Sequence, residues 1–190
     1  MSHPDILDER IQRKVVEVAT FFLLRAADLK APLTHFHLLH WLYLAERQSL
    51  KKYGELMMGA AMLSWEQGPG FASSLGFKEE SKHPHYPWKN IMLSRNNHWV
   101  LHPKSPYQSS DDLLQLSEAD IELLNEVWED ILVSEGDINP HQYPEWCYDP
   151  NQANPIELKT VLPILGFTPS ECRHVIEHDN AIKTWYLAVK

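Results

Sequence analysis

Residues 36–69 constrain the fold of this chain more than any other stretch. An amphipathic helical pattern runs to Lys52-Tyr53-Gly54, and a short apolar run, 56–65, follows and stops at Gln67-Gly68-Pro69. Glycine tolerates the left-handed conformation in which helices commonly end, so Gly54 is the expected stop. Pro32 breaks the preceding pattern, and the Thr34 hydroxyl can cap the helix that follows. The run 56–65 reads as strand or helix, and its length does not decide between them. Gly68-Pro69-Gly70 reads as a turn.

Around this segment the chain reads as helices with one small hairpin. Residues 6–29 place Ile11, Val15, Val18, Phe22 and Ala26 at helical spacing. Residues 91–95 and 98–102 flank Asn96-Asn97, two residues tolerant of positive φ, which predicts an antiparallel hairpin. Ser117 is an N-cap, with Asp120 favouring the positive end of the helix. On that helix Ile121, Leu124, Val127, Trp128 and Ile131 share one side, while Glu118, Glu122, Glu126 and Glu129 fall on the other. Gly136 is its expected end. Residues 137–154 read as loop, and 78–90 and 103–115 as the most mobile loops. A further helix is expected to start at Asn154-Pro155, with Pro163 kinking or ending it and Gly166 as its stop. Thr168-Pro169-Ser170-Glu171 is a capping box for a last helix. The expected fold class is therefore mainly α: a compact multi-helix domain with a small antiparallel β-hairpin, in a single domain over residues 1–190.

Charge and composition narrow the function. Net charge is −9, which argues against a nucleic-acid binder, because phosphate neutralisation needs clustered Lys and Arg. No Lys or Arg occurs from Ser105 to Leu158, and that stretch holds 13 of the 26 acidic residues. One acidic surface of this kind either keeps the protein solvated or speeds encounter with a basic partner. No apolar run is long enough to span a membrane. The polar, acidic start MSHPDILDER is not a secretory signal, and two cysteines do not make a disulfide framework. A reduced, cytoplasmic protein is expected. Seven Trp and seven Tyr without a basic groove read as core or protein interface.

The order of parts resembles a known family. Leu38-Leu39-His40-Trp41-Leu42-Tyr43-Leu44-Ala45-Glu46, then Gln67-Gly68-Pro69, then Leu116-Ser117-Glu118-Ala119-Asp120 resemble the core of the Panacea domain of SocA-like antitoxins. The resemblance covers roughly residues 11–146, leaving 155–190 as a C-terminal helical extension. His141-Gln142-Tyr143-Pro144-Glu145-Trp146 is similar to the family's late His-Glu…Pro-x-Trp signature, with Gln142 in the second place. The resemblance implies a non-enzymatic antitoxin of a toxin–antitoxin system, in a prophage setting. It would neutralise a cognate protein toxin by direct binding or by delivering it to a protease, with a protease or chaperone as further partner. No cofactor and no metal are implied. The partner-binding set expected on this reading is Gly68 and Pro69 with Trp146 as an apolar patch, His141 beside it, and the stripe Glu118, Glu122, Glu126 and Glu129 steering a basic toxin. Without the resemblance, Trp146 can plug the edge of a core and His141 can bond backbone.

A second class of function is written in His174-Val175-Ile176-Glu177-His178. This matches H-x-x-E-H, in which two His one helical turn apart bind zinc and Glu acts as base of a hydrolase. After Asp179 the chain has no Asp, Glu, His or Cys, so a third protein ligand must come from earlier in the sequence. His35, His37 and His40 do not converge on one side of a helix. His37 falls in the Leu38/Trp41/Leu44 sector and reads as a buried, hydrogen-bonded histidine. His83-Pro84-His85 has no fixed partner. Gly68-Pro69-Gly70 lacks the spacing and Lys of a phosphate loop, and Cys172 lies two residues from His174, so the pair points to different sides of a helix.

Overall fold

The computed structural model describes residues 9–31, 33–71, 91–95, 98–134, 139, 142–151 and 154–188. Among them are α1 (Glu9–Asp28), β1 (Leu33–Thr34), α2 (His35–Tyr53), β2 (Met62–Trp65), β3 (Gly68–Phe71), β4 (Met92–Arg95) and β5 (His98–Leu101). A short 3-10 helix (Ser110–Asp112) follows, then α3 (Glu118–Val133), β6 (Pro155–Ile156), α4 (Leu158–Ile164) and α5 (Pro169–Ala188). The six strands form two antiparallel three-stranded sheets, ordered β1-β5-β4 and β3-β2-β6. The fold is mainly helical, with more sheet than the single hairpin expected.

The helix ends follow local chemistry. Thr34 accepts a hydrogen bond from the His37 amide at 3.1 Å, and Gly54 closes α2 at φ +69°. Ser117 and Asp120 cap α3 reciprocally, and Thr168 and Glu171 do the same for α5. α3 ends at Val133; Gly136 lies outside the described residues, as do 78–90 with His83 and His85, and Asn96-Asn97. The strands flanking that Asn pair are present and in register, Met92 opposite Leu101 and Arg95 opposite His98.

Long-range pairing corrects two expectations and resolves one reading left open. Gly68-Pro69-Gly70 is strand, not turn: the chain reverses at Glu66-Gln67, so that Trp65 faces Gly68 and Met62 faces Phe71. Gly68 is needed there because its φ of +136° is a conformation other residues rarely adopt. Gly70 lies under the Trp65 ring, and an added Cβ would meet Trp65 Cδ1 at 3.0 Å. In the ambiguous run 56–65, only 62–65 is strand. Asn154-Pro155 does not start a helix. Pro155 and Ile156 pair with Leu63 and Met62 as β6, Asn154 O accepts from Ser64 N at 2.7 Å, and α4 begins only at Leu158. Pro lacks the N–H of a central strand but is tolerated at this edge. Pro163 sits one residue before the end of α4, and Gly166 follows at φ +94°.

The core centres on α2, which is buried without a break from Leu38 to Tyr43. α1 covers one side with Val15, Val18, Ala19, Phe22 and Ala26, and α3 another with Leu124, Val127, Trp128 and Ile131. Phe22, Trp41 and Trp128 form a chain of aromatic contacts linking the three helices, at centroid separations of 5.7 and 5.5 Å. Two buried carboxylates pin irregular backbone to helices. Glu46 on α2 accepts from the amides of Met58 and Gly59 at 2.9 and 2.8 Å. Glu17 on α1 accepts from Gln115 N at 2.7 Å and so ties down the 103–115 loop, which also holds the 3-10 turn. Burial pushes both carboxyls up, Glu46 to about 7, with the amide bonds opposing the rise. No helix among the described residues is long and apolar enough to cross a membrane.

Candidate functional site: a polar latch beneath an acidic helix

The segment 142–147 lies as a latch across α2 and the β2–β3 hairpin. Its two inward residues, Tyr143 and Glu145, alternate with exposed Gln142 and Pro144 around a turn closed by Trp146 N donating to Tyr143 O at 2.9 Å. On α2 they meet His40, Tyr43 and Arg47, which are three and four residues apart and therefore share one helix face. The Glu145 side chain is wholly buried. It accepts from the Tyr43 hydroxyl and from Arg47 Nε, the latter at 2.6 Å. Burial, and then the bond to Glu145, keep the Tyr43 phenol protonated by raising its pKa well above the ordinary value. The Arg47 guanidinium lies 5.6 Å from the Tyr143 ring centroid.

His40 organises the other half. Its Nδ1 lies 3.3 Å from Pro69 O and its Nε2 lies 3.2 Å from the Tyr143 hydroxyl. A carbonyl only accepts, so Nδ1 carries the proton and Nε2 of the neutral ring accepts from Tyr143. Gln142 Nε2 donates to the same hydroxyl at 3.0 Å, which completes a directed chain from Gln142 to Pro69. Burial lowers the His40 pKa to about 4, so the ring is neutral at pH 7. The latch is finished by Trp146 Nε1 donating to Trp65 O at 2.8 Å and Cys147 N donating to Ser64 Oγ at 3.1 Å.

The expected site residues fall into two places. Gly68 and Pro69 are buried in β3, and Trp146 is half-buried beside them. Glu118, Glu122, Glu126 and Glu129 are all exposed along α3, with Glu126 bonded to Lys52 at 2.6 Å. His141 lies outside the described residues. Of the N-terminal histidines, His40 and not His37 is the fully buried one. His37 is half-buried and stacks on Trp41 at 5.9 Å, since the core side of α2 is wider than the periodicity suggested. Tyr43, Arg47, Tyr143 and Glu145 were not singled out. The available signal was a Tyr and an Arg one turn apart on the inner side of one helix, but their partner lies 98 or more residues away.

The motif 174–178 is helical, with His174, Glu177 and His178 exposed. Among the described residues, no three His, Cys, Asp or Glu side chains are gathered closely enough to hold a metal. The fold is accordingly expected to withstand a strong chelator with no change in thermal midpoint. Stoichiometric zinc in protein purified without added metal, lost together with the fold on chelation, would overturn that expectation.

A helical body with a latch closing on its central helix is thus the frame of the site. The family model of the antitoxin SocA-like Panacea domain matches residues 38–137, and the chain belongs to that antitoxin-type family. The match contains α2 from Leu38 onward, the β2–β3 hairpin and α3, while the latch residues Tyr143–Trp146 lie just beyond it. No curated protein and no solved structure matches the chain.

Proposed function

We propose that this protein is the antitoxin of a toxin–antitoxin pair and neutralises a basic protein toxin by covering its surface. The observation that carries this reading is the stripe of four exposed glutamates on α3, inside the family-matched region, in a chain of net charge −9. The opposite face of α3 is locked onto α2 through Trp128 and Trp41, so the stripe is presented in a fixed orientation. Half-buried Trp146 and the exposed Glu66-Gln67 turn form the second part of the contact surface, shaped from beneath by Gly68 and Pro69. Delivery of the bound toxin to a protease is compatible with the same contacts.

Changing Glu118, Glu122, Glu126 and Glu129 together to Gln is expected to leave the fold intact, because none is buried. Association with the toxin should slow at least tenfold at low salt and lose most of its salt dependence. An unchanged association rate would remove the steering role and leave the stripe as a solvated face. Neutralisation, scored as growth when the neighbouring gene product is co-expressed, should survive Glu177→Gln and Cys172→Ser. It should fail with Glu122→Arg, since interface energy concentrates in a few positions worth about 2 kcal/mol or more each. Loss of rescue by Glu177→Gln in protein that still folds and still binds the toxin would replace masking with an enzymatic mechanism.

A further inference from the structure

A cleft of about 410 Å³ runs between α2 and α3 beside the latch, within the range of specific small-ligand sites. Its lining is mixed, with an apolar patch formed by Trp41 and Leu44 of α2 and by Val127 and Ile131 of α3 among polar side chains. One end carries two cations, Arg47 and Lys51, which sit one helical turn apart and so face the same way. Arg47 is held in place: Glu145 takes its Nε donor, and the Tyr143 ring flanks it. Such fixing lowers the ordering cost when an anion arrives. Lys51 is exposed and has no ion-pair partner among the described residues, whereas its neighbour Lys52 is bonded to Glu126. The acidic residue lining the cleft among those described is Asp130. Arg47 is already paired with buried Glu145, so among the described residues Lys51 is the cation of the cleft left without an ion-pair partner, beside the guanidinium of Arg47 and across from Asp130.

We propose that this cleft binds the free C-terminal carboxylate of a partner chain that ends in an apolar residue. The partner's identity rests on the antitoxin reading; the chemistry of the cleft does not. An Asp or Glu side chain brings its carboxylate on bare methylenes. A C-terminal residue instead carries a carboxylate and an apolar side chain on one carbon, which suits a cationic end set against an apolar patch. Capture of a chain terminus in this way is a recurring mode of peptide recognition.

The probe is N-acetyl-leucine, compared with N-acetyl-leucinamide by titration calorimetry on the full chain. The acid should bind at least tenfold more tightly than the amide. Lys51→Glu, at an exposed position, should abolish that preference, and Leu44→Gln should weaken the acid without restoring the amide. Equal binding of acid and amide, no binding of either, or a preference that survives Lys51→Glu would overturn the proposal. In a second arm, four residues, Gly-Ser-Gly-Ser, are added to the toxin's C-terminus, and affinity should fall at least tenfold. Unchanged affinity, with the acid probe still bound, would overturn the chain terminus as occupant. Failure of the antitoxin reading shows separately, as a neighbouring gene product that the wild-type chain neither binds nor neutralises. The probe arm then still decides the cleft, by the presence or absence of the acid preference.

Discussion

Replacing Glu145 with Ala should cost about 3 kcal/mol of stability, the scale found when one partner of a buried ion pair is removed. The Glu145 side chain is fully buried, and its loss strands the Tyr43 hydroxyl and about four-fifths of the Arg47 side chain in the interior. For a chain of this length that corresponds to a fall in thermal midpoint of roughly 10 °C. Glu145→Gln keeps the shape and one acceptor but removes the charge, and should cost about half as much. Tyr43→Phe combined with Glu145→Gln should cost less than the sum of the two single changes, because both act on the same bond. The measurement is urea unfolding of the wild type, Glu145→Ala, Glu145→Gln, Tyr43→Phe and the double variant. Strict additivity, or a Glu145→Ala loss below about 1 kcal/mol, would show that the latch is not held by this cluster.

The dependence of stability on pH should be nearly flat between about 4.5 and 6.5, and should acquire a slope when either of two residues is removed. Glu46 has its pKa raised from 4.5 to about 7, by burial. The folded state therefore holds its proton where the unfolded state has lost it. That contribution is fully present below pH 4.5 and is lost as pH rises to 7. His40 has its pKa lowered from 6.5 to about 4, again by burial. The unfolded state binds a proton that the folded state refuses, so that contribution is fully present above pH 6.5 and is lost as pH falls to 4. Each amounts to about 3 kcal/mol across its window, and over the shared range the two slopes oppose. Glu17 is raised by burial in the same sense as Glu46, and His37 is lowered by burial in the same sense as His40, so among the described residues both signs are reinforced. His40→Gln should leave stability falling as pH rises from 4.5 to 7. Glu46→Gln should leave it rising from 4 to 6.5. Urea midpoints at half-unit pH intervals would decide, and a His40→Gln profile parallel to the wild type would refute the assignment.

The acidic helix illustrates what was legible beforehand. Ser117, Asp120 and the apolar spacing from Leu124 to Ile131 are local signals, and α3 follows them closely. Its buried face also includes Leu123, which widens the stripe by one position toward α2. The β2–β3 hairpin illustrates the opposite case. Gly68-Pro69-Gly70 has the composition of a turn, yet it is a buried strand, because Met62–Trp65 supplies the ladder and the Trp65 ring requires a glycine beneath it. The candidate site divides in the same way. The exposed glutamates of α3 were readable from period alone. The latch was not, since Tyr43 and Glu145 look like unrelated residues until the chain has folded.

The sequence by itself determined α1, α3 and α5 and the capping of α2, α3 and α5, because those depend on contacts within about four residues: Thr34 to His37, Ser117 to Asp120, Thr168 to Glu171. Its order of motifs also determined the family. The tertiary structure alone decided which backbone became sheet at Gly68–Phe71 and Pro155–Ile156, and which histidine was buried. It alone joined His40, Tyr43 and Arg47 to Tyr143 and Glu145. The physical reason is shared by these cases. An unpaired backbone amide or a buried charge finds its partner across some 30 to 100 residues of chain, and no local pattern records which partner that is.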